Sequence, residues 1–154
     1  MKPWSPSLCK KCGGRCCKRM PGIASPEDIN CKGGIKTVLE SGKWAIDWYE
    51  GDPRPGGRLN QVYYLRPRIR GFNHLYHPAW ADAGECIFLR ENGCFLSPDD
   101  RPLECRDLVP KENYDCQAHY TKKELAMLWI KYQKKITATA RTITERSGTR
   151  WGND

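Results

Sequence analysis

Nine cysteines are the residues of this chain whose type and spacing most plainly invite chemistry. Four fall in one short stretch, Cys9, Cys12, Cys16 and Cys17, which reads C-K-K-C-G-G-R-C-C. Cys9 and Cys12 have the two-residue spacing that lets two thiolates on a turn converge on one metal ion. Gly13 and Gly14 permit the tight turning such a loop requires. Cys16 and Cys17 are neighbours whose side chains cannot point alike, so we expect them to divide roles, one as a ligand and one as a core or second-centre thiol. A second group follows at Cys86, Cys94 and Cys105, with Cys116 beyond it. Cys86 and Cys94 flank Asn92-Gly93, the strongest short signal for a hairpin, which would bring both thiols to one side. Seven thiols in two groups exceed the needs of one tetrahedral zinc, which admits a polynuclear centre or a cluster.

Cysteines staple proteins by disulfides or by metal. The stretch Met1 to Cys9 has no apolar signal-type region, no run approaches the roughly 20 apolar residues that cross a bilayer, and the cysteine count is odd. A reducing, cytoplasmic setting away from any membrane is therefore expected, where clustered cysteines serve metal or redox chemistry. Lys and Arg number 26 against 18 Asp and Glu, a formal charge of +8 with a pI near 9.1. That excess favours an acidic partner, nucleic acid or protein, although bound thiolates would offset part of it.

The elements that must position these thiols are short. At 154 residues, with 14 glycines, 11 prolines and few aliphatics, the chain reads as one domain (1–154) of the α+β class. We expect short helices, one or two β-hairpins and a long C-terminal helix, with the cysteine core (9–116) substituting for a large apolar interior. Ser25-Pro26-Glu27-Asp28 carries an N-cap serine, a first-turn proline and acids, so it starts a helix that Gly33-Gly34 ends. A second helix is predicted over Ile35 to Glu40. Lys43 to Glu50 and Gln61 to Leu65 read as strands joined across the Pro/Gly loop at 51–57. Cys86 to Leu96 reads as two short strands about Asn92-Gly93, and Ser97-Pro98-Asp99-Asp100 repeats the capped-helix pattern. Thr121 and Glu124 form a capping box opening a helix over about 121–147. Leu125, Leu128, Trp129, Tyr132, Ile136, Ala140 and Ile143 fall on its apolar stripe, with Lys131, Lys134, Lys135, Arg141 and Arg146 on other faces.

Taken in order, several of these pieces resemble one family. Cys9-x2-Cys12-Gly13-x2-Cys16-Cys17, Ser25-Pro26-Glu27-Asp28-Ile29, Gly84-x-Cys86-x2-Leu89, Asn92-Gly93-Cys94 and Arg101-Pro102-x2-Cys105-Arg106 resemble the zinc- or iron-chelating cysteine-cluster (YkgJ-like) proteins. The match runs from Cys9 to Pro110. It implies a metal-chelating domain, with related domains in flagellin lysine methylases, and ligands drawn from Cys9, Cys12, Cys16, Cys17, Cys86, Cys94 and Cys105. Cys31 and Cys116 lie outside the pattern and are expected to be core or auxiliary thiols, and the segment from Lys43 to Arg70 also falls outside it.

An all-thiolate set suits zinc and iron–sulfur alike. The irregular spacing and the lack of an obvious histidine ligand lean towards a [4Fe–4S] cluster, with Arg15, Arg90, Arg101 and Arg106 near the thiols as counter-charges. His74-x2-His77 could pair as ligands, but a structural role suits that residue type better, and His119 reads as part of a helix start. Trp44, Trp48, Tyr63 and Tyr64 could stack on bases, although hairpin aromatics more commonly fill a core. Asp99, Asp100, Glu104 and Asp107 crowd near Cys94 and Cys105 as helix caps and arginine partners, and no catalytic set stands out. Three functions follow in order of preference: metal binding with a structural or redox/metal-handling role, a basic nucleic-acid-associated module with structural zinc, and a cluster-dependent redox or group-transfer enzyme.

Overall fold

The structure, a computed structural model, describes residues 20–78, 84–91, 93–106 and 120–147. Its helices, two small antiparallel sheets and long C-terminal helical segment make it an α+β fold. Helix α1 (Pro26–Asn30) opens on a closed capping box, in which Ser25 Oγ accepts the Asp28 N–H at 3.1 Å and Asp28 Oδ2 accepts the Ser25 N–H at 2.9 Å. It stops where Gly33 and Gly34 take φ of 101° and 99°, a region costly for any residue with a Cβ. Helix α2 (Ile35–Glu40) buries Ile35, Val38 and Leu39.

Strands β1 (Trp44–Glu50) and β2 (Gln61–Pro67) form the predicted hairpin, in register from Trp44 opposite Pro67 to Glu50 opposite Gln61. Strand β2 runs two residues past the expected end. Along the other edge of β1, Ile46 donates to the Leu75 carbonyl at 2.8 Å and accepts from His77 at 2.7 Å, so residues 75–77 lie parallel to it. The outer edge of β2 is closed as well. Gln133 accepts the Tyr63 N–H at 2.7 Å and donates to its carbonyl at 2.9 Å, while Ala24 donates to the Leu65 carbonyl at 3.0 Å. One side-chain amide thus does for the edge what another strand would do.

The C-terminal helix comes in two pieces, α4 (Lys122–Trp129) and α5 (Gln133–Ser147), joined by a 3₁₀ turn over Ile130–Tyr132. The Thr121/Glu124 capping box is present. Leu125, Trp129, Ile136, Ala140 and Ile143 of the predicted stripe are buried and Tyr132 is half-buried, but Leu128 is 43 % exposed. Ala126 is buried in its place. At ~100° per residue, 128 and 126 fall on opposite sides of Leu125, and the core lies on the side of 126.

Among the described residues, eighteen buried apolar residues, from Ile23 to Ile143, join in one core, and none of the four described cysteines belongs to that cluster. The described residues thus have an apolar interior of their own. Trp44, Tyr64 and Trp129 bring enough surface to compensate for the scarcity of aliphatics. Among the described residues, no helix is long and apolar enough to cross a membrane.

Candidate metal centre

Three of the predicted ligands lie within the described residues, and each is placed by backbone pairing. Beyond β2 the chain pairs with 85–87. Arg70 donates to the Glu85 carbonyl at 2.8 Å, Ile87 donates to the Arg68 carbonyl at 2.9 Å, and Cys86 stands opposite Ile69. Strands β3 (Leu89–Arg90) and β4 (Gly93–Cys94) then form a hairpin that sets Cys94 opposite Leu89. Gly93 has φ of 108° there, the conformation for which a hairpin selects glycine. These strands are shorter than the sequence suggested. The capped segment after them splits into a 3₁₀ turn (Pro98–Asp100) and one turn of helix, α3 (Leu103–Arg106), which carries Cys105.

A four-residue helix has no stability of its own. Helix α3 is held from the other end of the chain. Asp28, buried in α1, accepts the Leu103 N–H at 2.7 Å and the Arg106 guanidinium at 2.5 Å, so one carboxylate caps its own helix and α3 together. Glu104 and Ile23 bond twice, Ile23 N–H to Glu104 Oε1 at 2.9 Å and Glu104 N–H to the Ile23 carbonyl at 3.1 Å. These ties bring Gly22 onto Cys105 so closely that an added Cβ would overlap the sulfur and crowd the Cys105 backbone.

Electrostatics link the three thiols. Burial pushes the Cys105 thiol well above its ordinary range. The Cys86 sulfur, Glu104 and the Cys94 sulfur push it further, and the Gly22 N–H, donating to it, opposes them. Burial likewise pushes the Cys86 thiol up to about 12, against an N–H donated by Phe88, with Cys94 raising and Arg70 lowering it. The structure thus brings Cys86, Cys94 and Cys105 within electrostatic reach of one another and aims a backbone donor at two of them. Cys86 and Cys105 are free thiols. Among the described residues, no group of three or more His, Cys, Asp or Glu side chains is by itself positioned to hold a metal ion. Cys9, Cys12, Cys16 and Cys17, with Cys116, Asp107, Arg15 and His119, lie outside the described residues. The donor set fits a thiophilic ion or cluster in kind. The thiols are soft, those of Cys86 and Cys105 are costly to ionise without a cation, and the N–H donors stabilise thiolate rather than thiol.

Cys31 is exposed at the C-terminal end of α1, which leaves the auxiliary of its two expected roles, core or auxiliary thiol. Arg106 is engaged by Asp28, and Arg101, buried, donates to the Leu96 carbonyl at 3.0 Å. The guanidinium that acts on Cys86 belongs to Arg70, which the spacing arguments passed over. His74 and His77 meet different neighbours. His74 tilts against the Phe72 ring at 4.6 Å, whereas buried His77 sits 4.0 Å from Asp47 and is pushed down to about 4, chiefly by burial. Trp44 and Tyr64 are core residues. Gly22 carried no signal in the sequence, because its role depends on a partner 83 positions away. Comparison with protein-family models, with curated proteins and with solved structures finds no match to this chain.

Proposed function

We propose that this is a metal-binding cysteine-cluster protein of the YkgJ-like kind. It would hold an iron–sulfur cluster or zinc through Cys86, Cys94 and Cys105 together with thiols of the Cys9–Cys17 group, in a reducing cytoplasmic setting. The carrying observation is the contact of Gly22 with Cys105. Gly22 follows Cys17 by five positions, a reach of at most about 18 Å, so chain length alone tethers Cys17 to the neighbourhood of the second cysteine group. A bound cluster would supply electron transfer, and zinc would supply cross-linking. The chain's own part is to exclude water from Cys86 and Cys105, to stabilise their thiolates through the Phe88 and Gly22 N–H groups, and to place Arg70 as a counter-charge. Irregular spacing and donors without histidine support iron over zinc.

Metal and sulfide analysis of protein purified without oxygen tests this. Brown protein with stoichiometric iron and sulfide, lost in Cys94→Ser and Cys105→Ser, is the expected result. Colourless protein with one zinc selects zinc, and metal-free native protein, or fully loaded serine variants, overturns the assignment. A nucleic-acid-associated role stands second. Lys131, Lys134, Lys135 and Arg141 are exposed along α5 and its preceding turn without a carboxylate partner among the described residues, and salt-sensitive binding of RNA or DNA would promote it.

A further inference from the structure

Beside the thiols, a shallow groove of about 370 Å³ is lined by Arg70, Glu85, Leu89, Arg90 and Glu91. Its two arginines are held in an unusual way. Arg70 Nη2 donates to the Ile87 and Leu89 carbonyls at 2.9 and 2.7 Å, and Arg90 Nη1 donates to the same two oxygens at 2.8 and 3.0 Å. Sharing acceptors keeps those two nitrogens within about 6 Å of each other, where like charges repel even when well hydrated. Counter-charge in the protein is thin. Glu85 meets Arg70 Nε at 3.0 Å, and Arg90 has no carboxylate partner among the described residues.

The carbonyls orient both guanidiniums and leave donors unspent. Among the described residues, Nη1 of Arg70 and Nε and Nη2 of Arg90 have no hydrogen-bond partner. Arg90 also lies over the Phe95 ring, 5.1 Å from its centre, while Phe95 itself is 66 % exposed. Two forked cations with free N–H groups match the oxygens of a phosphate better than any point charge does. An exposed ring next to them offers a base a stacking surface.

We infer that the Arg70/Arg90 groove is an anion site for the phosphate of a nucleotide, free or within a nucleic-acid strand. The site is built from carbonyl-anchored arginines rather than from thiols, so its test reads anion binding and not metal content, although Arg70 also acts on Cys86. Glu91 lines the groove without a basic partner among the described residues and opposes the ligand's charge. Titration of the full native chain with inorganic phosphate, AMP and oligothymidylate, followed through the arginine side-chain N–H resonances, tests the inference. Saturable shifts at Arg70 and Arg90 are expected. Affinity should fall at least tenfold in Arg90→Gln, recover in part in Arg90→Lys, and rise in Glu91→Gln. Binding of AMP and of the oligomer with similar affinity marks a free nucleotide as the ligand, whereas much tighter binding of the oligomer marks a strand. Absence of saturable shifts with all three probes, or equal affinity in native and Arg90→Gln protein, overturns it. So does an equal loss in the α5 control Lys134→Gln, since that would make the effect one of net charge.

Discussion

The hairpin-and-helix half of this protein and its cysteine half are built on different physics. Around β1, β2, α4 and α5, apolar side chains contributed by every element meet in one core, and each long element presents a face to it. In residues 84–106 the strands are two residues long, and α3 buries no residue fully. That region is held by backbone pairing, by arginines on carbonyls, and by the Asp28 and Glu104 ties to the start of the chain. Burial of area stabilises the first half, and specific polar bonds stabilise the second. The lesson is that one chain can hold one region by buried area and another by directional polar bonds. Cys94 and Cys105 belong to the second, outside the apolar cluster of the described residues.

Four substitutions or conditions break or sharpen this contrast. The largest effect is expected at Trp129, fully buried with its indole N–H on the Ala24 carbonyl at 2.8 Å. Trp129→Ala should cost about 3–5 kcal/mol in urea denaturation and unfold both halves together. If the cysteine half kept its structure, the dependence of one on the other would be refuted. Asp28→Ala removes the shared cap and leaves Arg106 and the Leu103 N–H without their acceptor. A loss of about 2–4 kcal/mol is expected, with faster amide exchange in α3 and near-native exchange in α5. Uniform acceleration would erase the distinction between the halves.

His77 tests the hairpin half by pH. Asp47, Arg66 and Lys122 face it, and its protonation falls to about 4 from an ordinary 6.5. The folded state therefore binds fewer protons than the unfolded chain between those values. Stability should be complete above pH 6.5 and fall by about 2–3 kcal/mol as the pH drops towards 4. His77→Gln should flatten that stretch of the profile, and an unchanged slope would assign it to other groups. The smallest effect is expected at Gly22→Ala, where the new methyl meets the Cys105 sulfur. Stability should drop by about 1–3 kcal/mol. Metal content should fall disproportionately, and full metal content with a native melting curve would sever the link between Gly22 and the thiols.

Much of the fold was legible because its signals are local. Ser25 with Asp28, Thr121 with Glu124, and Gly93 at a hairpin each act within a few residues, so sequence spacing reports the contact directly. The exposure of Leu128 was not legible. A periodic stripe says which residues share a face but not where along that face the neighbour stops. The candidate centre was half legible: the thiols announce themselves by type, whereas Gly22, Arg70 and the second acceptor role of Asp28 do not. Their partners at 105, 86 and 103 are remote in the chain, and no local pattern encodes them.

By itself, then, the sequence determined the helix starts, the hairpins and the supply of thiols, because capping, turn geometry and thiol chemistry are properties of single residues and their neighbours. The tertiary structure alone decided that Cys86, Cys94 and Cys105 share one neighbourhood beside the returning start of the chain. It also decided that two arginines would be turned towards the same carbonyls. Those outcomes depend on which distant backbone groups satisfy one another once the core has closed, and hydrogen-bond partners chosen across eighty residues leave no trace in spacing.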